Sequence, residues 1–295
     1  MSAVSRGPRW GLRSVALIYL ALLLLIPLGA VFWRTFEHGI SEPLDAVTSE
    51  DGLHAFWLTI VCVGIAVPLN TAFGVVTALV LVRQNFRGKA LLNASIDLPF
   101  AISPVVIGLA LFLVYAPRDS WFGGWLMDNG IQVIFSVPGM VLATIFVSLP
   151  FVVREVMPVL QEIGTDQEEA AETLGASPWQ TFWKVTLPAI RWGLVYGVIL
   201  ATARALGEFG AVAVVSGHIT GKTETLPIFV QSQFDRFNLA GAYAAGLVLA
   251  ILALVVLFSM NFLQRRSSRA VDVDDDKEAP PGPSVFVPQP IEKEA

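Results

Sequence analysis

The chain has 295 residues, of which 55% are hydrophobic and only 15% charged, and its mean hydropathy is +0.66. A soluble domain carries about 25% charged residues, so a bilayer is the expected solvent for most of this chain. The net charge of −5 is carried by residues 270–295 alone, with seven acids and two lysines, so the body is neutral and the acidic balance says nothing about a substrate; the single Cys62 excludes an intrachain disulfide.

Residues 1–13 hold Arg6, Arg9 and Arg13 and no acid, and an uncharged run follows over residues 14–33. At ~1.5 Å per residue such a run crosses a ~30 Å hydrocarbon core, whereas a signal-peptide core is about 7 to 15 residues, so an uncleaved first span is expected. Further spans are expected at 56–82, 98–117, 130–153, 192–215 and 241–263, the fifth carrying Arg204 and Glu208. Chain that crosses a bilayer must satisfy its own backbone hydrogen bonds, so these runs are read as helices. The fold class is an all-α integral membrane protein with six transmembrane helices.

Pro68, Pro99 and Pro104 predict helix distortion, and Gly64, Gly74, Gly108, Gly193 and Gly197 predict close helix approach. Arg and Lys cluster at 6–13, 83–89, 154–191 and 265–269, against Arg34, Arg118, Lys222 and Arg236 on the other side. The excess places both termini and the 164–188 loop in the cytoplasm. Residues 270–295, acidic and proline-rich, are read as a disordered tail.

The loop has the marks of a rigid knob. Glu168 to Leu174 favours a helix, Gly175 suits a left-handed stop, and Ser177-Pro178 suits the cap and first position of a second helix, with Pro188 expected to hold the pair off the membrane. Glu169-Ala170-Ala171, three residues, Gly175, nine residues and Val185-x-Leu187-Pro188 resemble the EAA loop of the membrane subunits of bacterial binding-protein-dependent ABC importers. The resemblance implies a type I ABC importer permease fold in which Glu169, Ala170, Ala171, Gly175, Val185, Leu187 and Pro188 dock on a cytosolic ATPase.

Chemistry of the chain's own is scarce. The stretch from Gly217 to Thr223 has three residues between its glycines where a phosphate-binding loop needs four. His38, His54 and His218 are too scattered for ordinary metal-ligand spacing. Arg204 and Glu208, four apart, are expected to meet on one helix face, either as an internal ion pair or with Arg204 turned to an anion path. From Ala203 through Gly207-Glu208-Phe209-Gly210 to Ser216-Gly217-His218, the chain is similar to the W-type permease subunits of sulfate and thiosulfate importers, and molybdate and tungstate permeases share part of that pattern. The resemblance implies Arg204, Glu208, Ser216 and His218 as translocation-path candidates. It also implies a homologous T-type permease, a dimeric ATPase carrying ATP and Mg, and a periplasmic or lipid-anchored binding protein that delivers the oxyanion. This chain itself is expected to bind no cofactor and to catalyse no reaction. An ion-coupled secondary transporter is the rival class, and it has no use for a docking knob.

Overall fold

The computed structural model describes residues 6–37, 39–117 and 120–278, which form helices and turns with no strand among them. His38, Arg118 and residues 279–295 lie outside the described residues. In chain order the helices begin with α1 (Arg6–Phe36), α2 (Ser41–Thr48), α3 (Glu50–Arg83), α4 (Lys89–Ala101), α5 (Pro104–Tyr115), α6 (Gly123–Asp128) and α7 (Val137–Ile163). They continue with α8 (Asp166–Thr173), α9 (Pro178–Thr181), a π turn (Phe182–Thr186), α10 (Leu187–Ala189), α11 (Arg191–Leu206), α12 (Gly210–Ser216), α13 (Leu226–Asp235) and α14 (Leu239–Glu278).

Four helices, 13–36 within α1, α3, α7 and 239–259 within α14, are long and apolar enough to cross a membrane. The count rises to six if each of two bent pairs is one span: α4 with α5, bent by 113°, and the 178–189 helix with α11, bent by 71°. The third expected span is therefore two short helices. Pro104 opens α5 and has no N–H to give back to α4, and it pushes Ser103 into an extended conformation (φ −59°, ψ 135°). Pro68, by contrast, lies inside α3 without breaking it.

The fifth expected span is also broken, because α11 stops at Leu206 and α12 starts at Gly210. The fourth starts later than expected, at Val137, and runs on through Arg154 to Ile163. Arg154 is tolerated there because Asp97 of α4 accepts its Nε–H at 2.8 Å. Nor does the last helix stop where the acidic tail was expected to begin: it continues from Leu263 through Glu278. Extending an existing helix costs far less than nucleating one, and the first strong breakers, Pro280 and Pro281, come only afterwards.

The core is a stack of α3, α7 and α11. An added Cβ on Gly74 of α3 would lie 2.7 Å from Val152 Cγ1 of α7, and one on Gly197 of α11 would lie 2.9 Å from Val152 Cα. Gly193 meets Val159 and the Glu155 carbonyl in the same way, and Gly108 of α5 meets the Ala211 carbonyl of α12. Gly64, expected in this set, instead faces open space. Between α3 and α7 the buried Asn70 donates to Ile145 O (3.1 Å) and Ser148 Oγ (2.8 Å), a polar pin in an otherwise apolar seam. α1 packs on α14 and leaves its apolar surface outside the bundle.

These contacts predict a difference between two glycines of like sequence context. Gly197→Leu forces a side chain into the backbone of α7 and costs about 1–3 kcal/mol, lowering the thermal midpoint in detergent, while Gly64→Leu leaves it unchanged. Equal midpoints for the two variants would contradict the stacking.

Candidate functional site

The knob of residues 164–188 is built from local rules. Asp166, Glu168 and Glu169 occupy the first turn of α8, where the helix dipole favours acids. The helix closes with crossed bonds from Gly175 N to Glu172 O (2.9 Å) and from Ala176 N to Ala171 O (3.0 Å), with Gly175 at φ +87°. This is a Schellman stop, and a side chain at Gly175 would be strained. Ser177 and Gln180 then form a reciprocal capping box, Ser177 Oγ accepting from Gln180 N (3.4 Å) and Gln180 Oε1 from Ser177 N (2.9 Å).

The second arm differs from expectation, because Pro188 lies inside it. One helical run extends from Pro178 to Ala189 and turns by 71° into α11 at Ile190. Pro188 cannot donate to the carbonyl one turn back, and the preceding residues widen into a π turn, with Leu187 N bonding Phe182 O five residues away.

A clamp that sequence reasoning missed fixes the knob to the body. Arg83, the last residue of α3, donates to Leu160 O (3.1 Å) and Gly164 O (2.6 Å) at the end of α7, and its Nε lies 3.0 Å from Glu168 Oε2. The other oxygen of Glu168 accepts from Thr186 Oγ1 at 2.8 Å. One guanidinium thus satisfies the Leu160 carbonyl in the last turn of α7 and the Gly164 carbonyl just past it, and orders both arms of the knob through one carboxylate. The two side chains are 17% and 19% exposed, which shields the pair from much of the screening that weakens surface pairs. No spacing rule connects residues 85 apart in sequence, and the only hint was an Arg at the end of an apolar run.

The expected docking residues divide into two groups. Val185 lines the small void beneath the clamp beside Thr186, and Leu187 packs against the core cluster of Val156, Leu160 and Ile190, so these two hold the knob in place. Glu169, Ala170, Gly175 and Pro188 are exposed and Ala171 is partly buried. Beside them Leu174 is 89% and Trp179 70% exposed, with Trp179, Phe182 and Trp183 in mutual ring contact. A rigid, tethered surface that leaves a leucine and two tryptophans in the open has the character of a protein-docking face.

The charged pair lies at the break between α11 and α12. Arg204 Nη1 lies 2.8 Å from Glu208 Oε2, while Glu208 Oε1 accepts from Ala211 N (2.9 Å) in the first turn of α12. Glu208 has already left the helix, yet the pair forms. Its side chain is 2% exposed against 31% for Arg204, so the carboxylate faces protein and the guanidinium keeps the open side.

Ser216 and His218 lie at the other end of α12, roughly 10 Å away by helical rise, so the four candidates do not form one cluster. Ser216 is buried in a turn, where its carbonyl accepts from Thr223 Oγ1 (2.6 Å). His218 is exposed at φ +52°. The Gly217–Thr223 stretch is this turn, closed on itself by the Thr223 hydroxyl, which also accepts from Ile219 N.

A family model described as "Binding-protein-dependent transport system inner membrane component" matches residues 70–272. The chain is 54% identical over 254 residues to the "Sulfate transport system permease protein CysW" of Synechocystis sp., covering 86% of this chain and 92% of the relative. It is 39% identical over 256 residues to the "Sulfate transport system permease protein CysT" of Escherichia coli, covering 87% of this chain and 92% of the relative. Its fold is similar to a chain in the crystal structure of a bacterial ABC transporter that imports alginate, with a TM-score of 0.71, 19% identity, and coverage of 87% of this chain and 96% of that one.

The Arg204–Glu208 geometry predicts non-additive substitutions. Arg204→Ala strands the buried carboxylate and costs about 3–5 kcal/mol, and Glu208→Ala loses both the pair and the bond to Ala211. The double variant recovers part of the Arg204→Ala loss, read from thermal unfolding in detergent. Simple addition of the two losses would show that the pair is not coupled.

Proposed function

The chain belongs to the family of binding-protein-dependent transport system inner membrane components, and from that premise we propose that it is one half of the membrane pore of an ATP-driven importer for sulfate or thiosulfate. It is a translocation subunit and not an enzyme. The proposal extends to six spans, counting each bent pair as one, with both termini and the 164–188 knob in the cytoplasm of a bacterial cell and the chain in its inner membrane. That orientation follows the Arg and Lys excess at 6–13, 83–89, 154–191 and 265–269.

The observation that carries the reading is the tethered knob with its exposed apolar tip. A loop for solvent alone needs neither the Arg83–Glu168–Thr186 clamp nor an open Leu174 and Trp179. A cytosolic ATPase dimer, holding ATP and Mg, docks one subunit on this surface and the other on the equivalent loop of a homologous T-type permease. A periplasmic or lipid-anchored binding protein delivers the oxyanion from outside. When ATP closes the dimer, the knobs move together, and each clamp passes the displacement to the inner ends of α3 and α7, so the spans rock between inward and outward openings. Substrate identity rests on the sulfate transport for which the CysW and CysT relatives are named. Arg204, whose guanidinium pairs with the buried Glu208 and is itself 31% exposed, is the strongest translocation-path candidate in this reading, with Ser216 and His218 further along α12.

Gly175→Val tests the coupling role. A β-branched residue at φ +87° opens the turn between α8 and α9 while the spans stay intact. The variant should insert and assemble with its partners, lose uptake of labelled sulfate by at least about tenfold, and lose stimulation of ATP hydrolysis by loaded binding protein. Normal stimulated hydrolysis would show that the turn has no part in coupling.

A further inference from the structure

The inner ends of α3, α4 and α7 border an open cavity of about 470 Å³ that the coupling role does not use. Its walls are of two kinds: Leu81, Val82 and Met157 are apolar, while Lys89, Asn93 and Gln161 are polar. Lys89 and Asn93 are four apart on α4, so they share one face of that helix. Lys89 uses two of its three N–H donors on Gln84 O (3.1 Å) and Asn85 Oδ1 (3.3 Å), which leaves one unclaimed among the described residues. Arg154 next to it is engaged by Asp97, by Asn93 O (3.3 Å) and by Met157 Sδ (3.8 Å), so Lys89 supplies the available positive charge. Asn93 Oδ1, an acceptor, is buried without a hydrogen-bond partner in the same wall, so it can take a hydroxyl donor of a ligand but not an anionic oxygen.

The depth of this cavity matters. Val82 gives way to Arg83 on α3 and Val153 to Arg154 on α7, so the apolar runs end at its level. In a bilayer that level is the headgroup layer, where anionic lipids attract basic side chains. We propose that the cavity holds a tetrahedral oxyanion group at Lys89, and that an anionic phospholipid supplies it, with the phosphate at Lys89 and the first acyl carbons against Leu81, Val82 and Met157. A free sulfate or phosphate shares the chemistry at Lys89 and has no use for three apolar walls. The inference rests on this end of the chain lying at the inner leaflet and is independent of which substrate is carried.

The test uses the assembled transporter, delipidated in mild detergent and given phosphatidylglycerol, phosphatidylcholine, inorganic sulfate or inorganic phosphate before native mass spectrometry. Wild type should retain phosphatidylglycerol in preference to phosphatidylcholine. Lys89→Gln should weaken that retention about tenfold, and Lys89→Arg should keep it, with thermal unfolding showing all three equally folded. Sulfate or phosphate retained in a Lys89-dependent manner without any phosphatidylglycerol would support the oxyanion site and assign it to a free ion. Equal phosphatidylglycerol retention in wild type and Lys89→Gln, or equal loss in Lys89→Gln and Lys89→Arg, would overturn the site. Because ATP-driven uptake is not the readout, a failure here is distinct from a failure of the transport reading.

Discussion

The tether between the knob and the body depends on one guanidinium. Arg83 binds the Leu160 and Gly164 carbonyls at the end of α7, pairs with Glu168, and through Glu168 reaches Thr186 on the other arm. A loop held only by its ends would dissipate a push from a partner in its own rotation about the chain. The knob is held at both arms and joined to the ends of two packed helices. The connection is short because α3 and α7 meet along most of their length, with Val152 seated between the glycines of α3 and α11.

The breaks in the helices have a common logic. Two fall where a proline or a buried charge makes continuation costlier than a turn, Pro104 between α4 and α5 and Glu208 between α11 and α12, and the bend at Ile190 follows Pro188 by two residues. Unpaired backbone is expensive inside a bilayer, and each break satisfies part of it locally, as when Glu208 accepts from Ala211. The result is a rigid inner stack of α3, α7 and α11, with the broken segments α5 and α12 packed on one another beside it. Chain that has to rearrange during transport is better placed in those broken segments than in the stack.

Much of this was legible in the sequence because it is local. Gly175, Ser177 and Pro178 specify their own backbone, and the structure has the Schellman stop and capping box where those residues predict them. Hydrophobic length found four long apolar helices but misplaced some of their ends. It had no means of knowing that Asp97 would make Arg154 tolerable inside α7, or that nothing would stop α14 before Glu278. The Arg83–Glu168 clamp was invisible for the same reason: the partners are neighbours only once α3 and α7 have packed. Composition also could not separate glycines that touch a neighbouring helix, such as Gly197, from one that faces outward, Gly64.

The central claim is that the knob faces the cytoplasm and seats on an ATPase. The most direct measurement places a thiol at its tip, as Leu174→Cys in a chain whose own Cys62 is buried. Within the assembled complex, a short thiol-to-amine cross-linker should join this residue to a lysine of the ATPase subunit, and a membrane-impermeant thiol reagent should reach it in inside-out vesicles but not in intact cells. Labelling from the outside of intact cells, or an ATPase that is never joined although it co-purifies, would contradict the account.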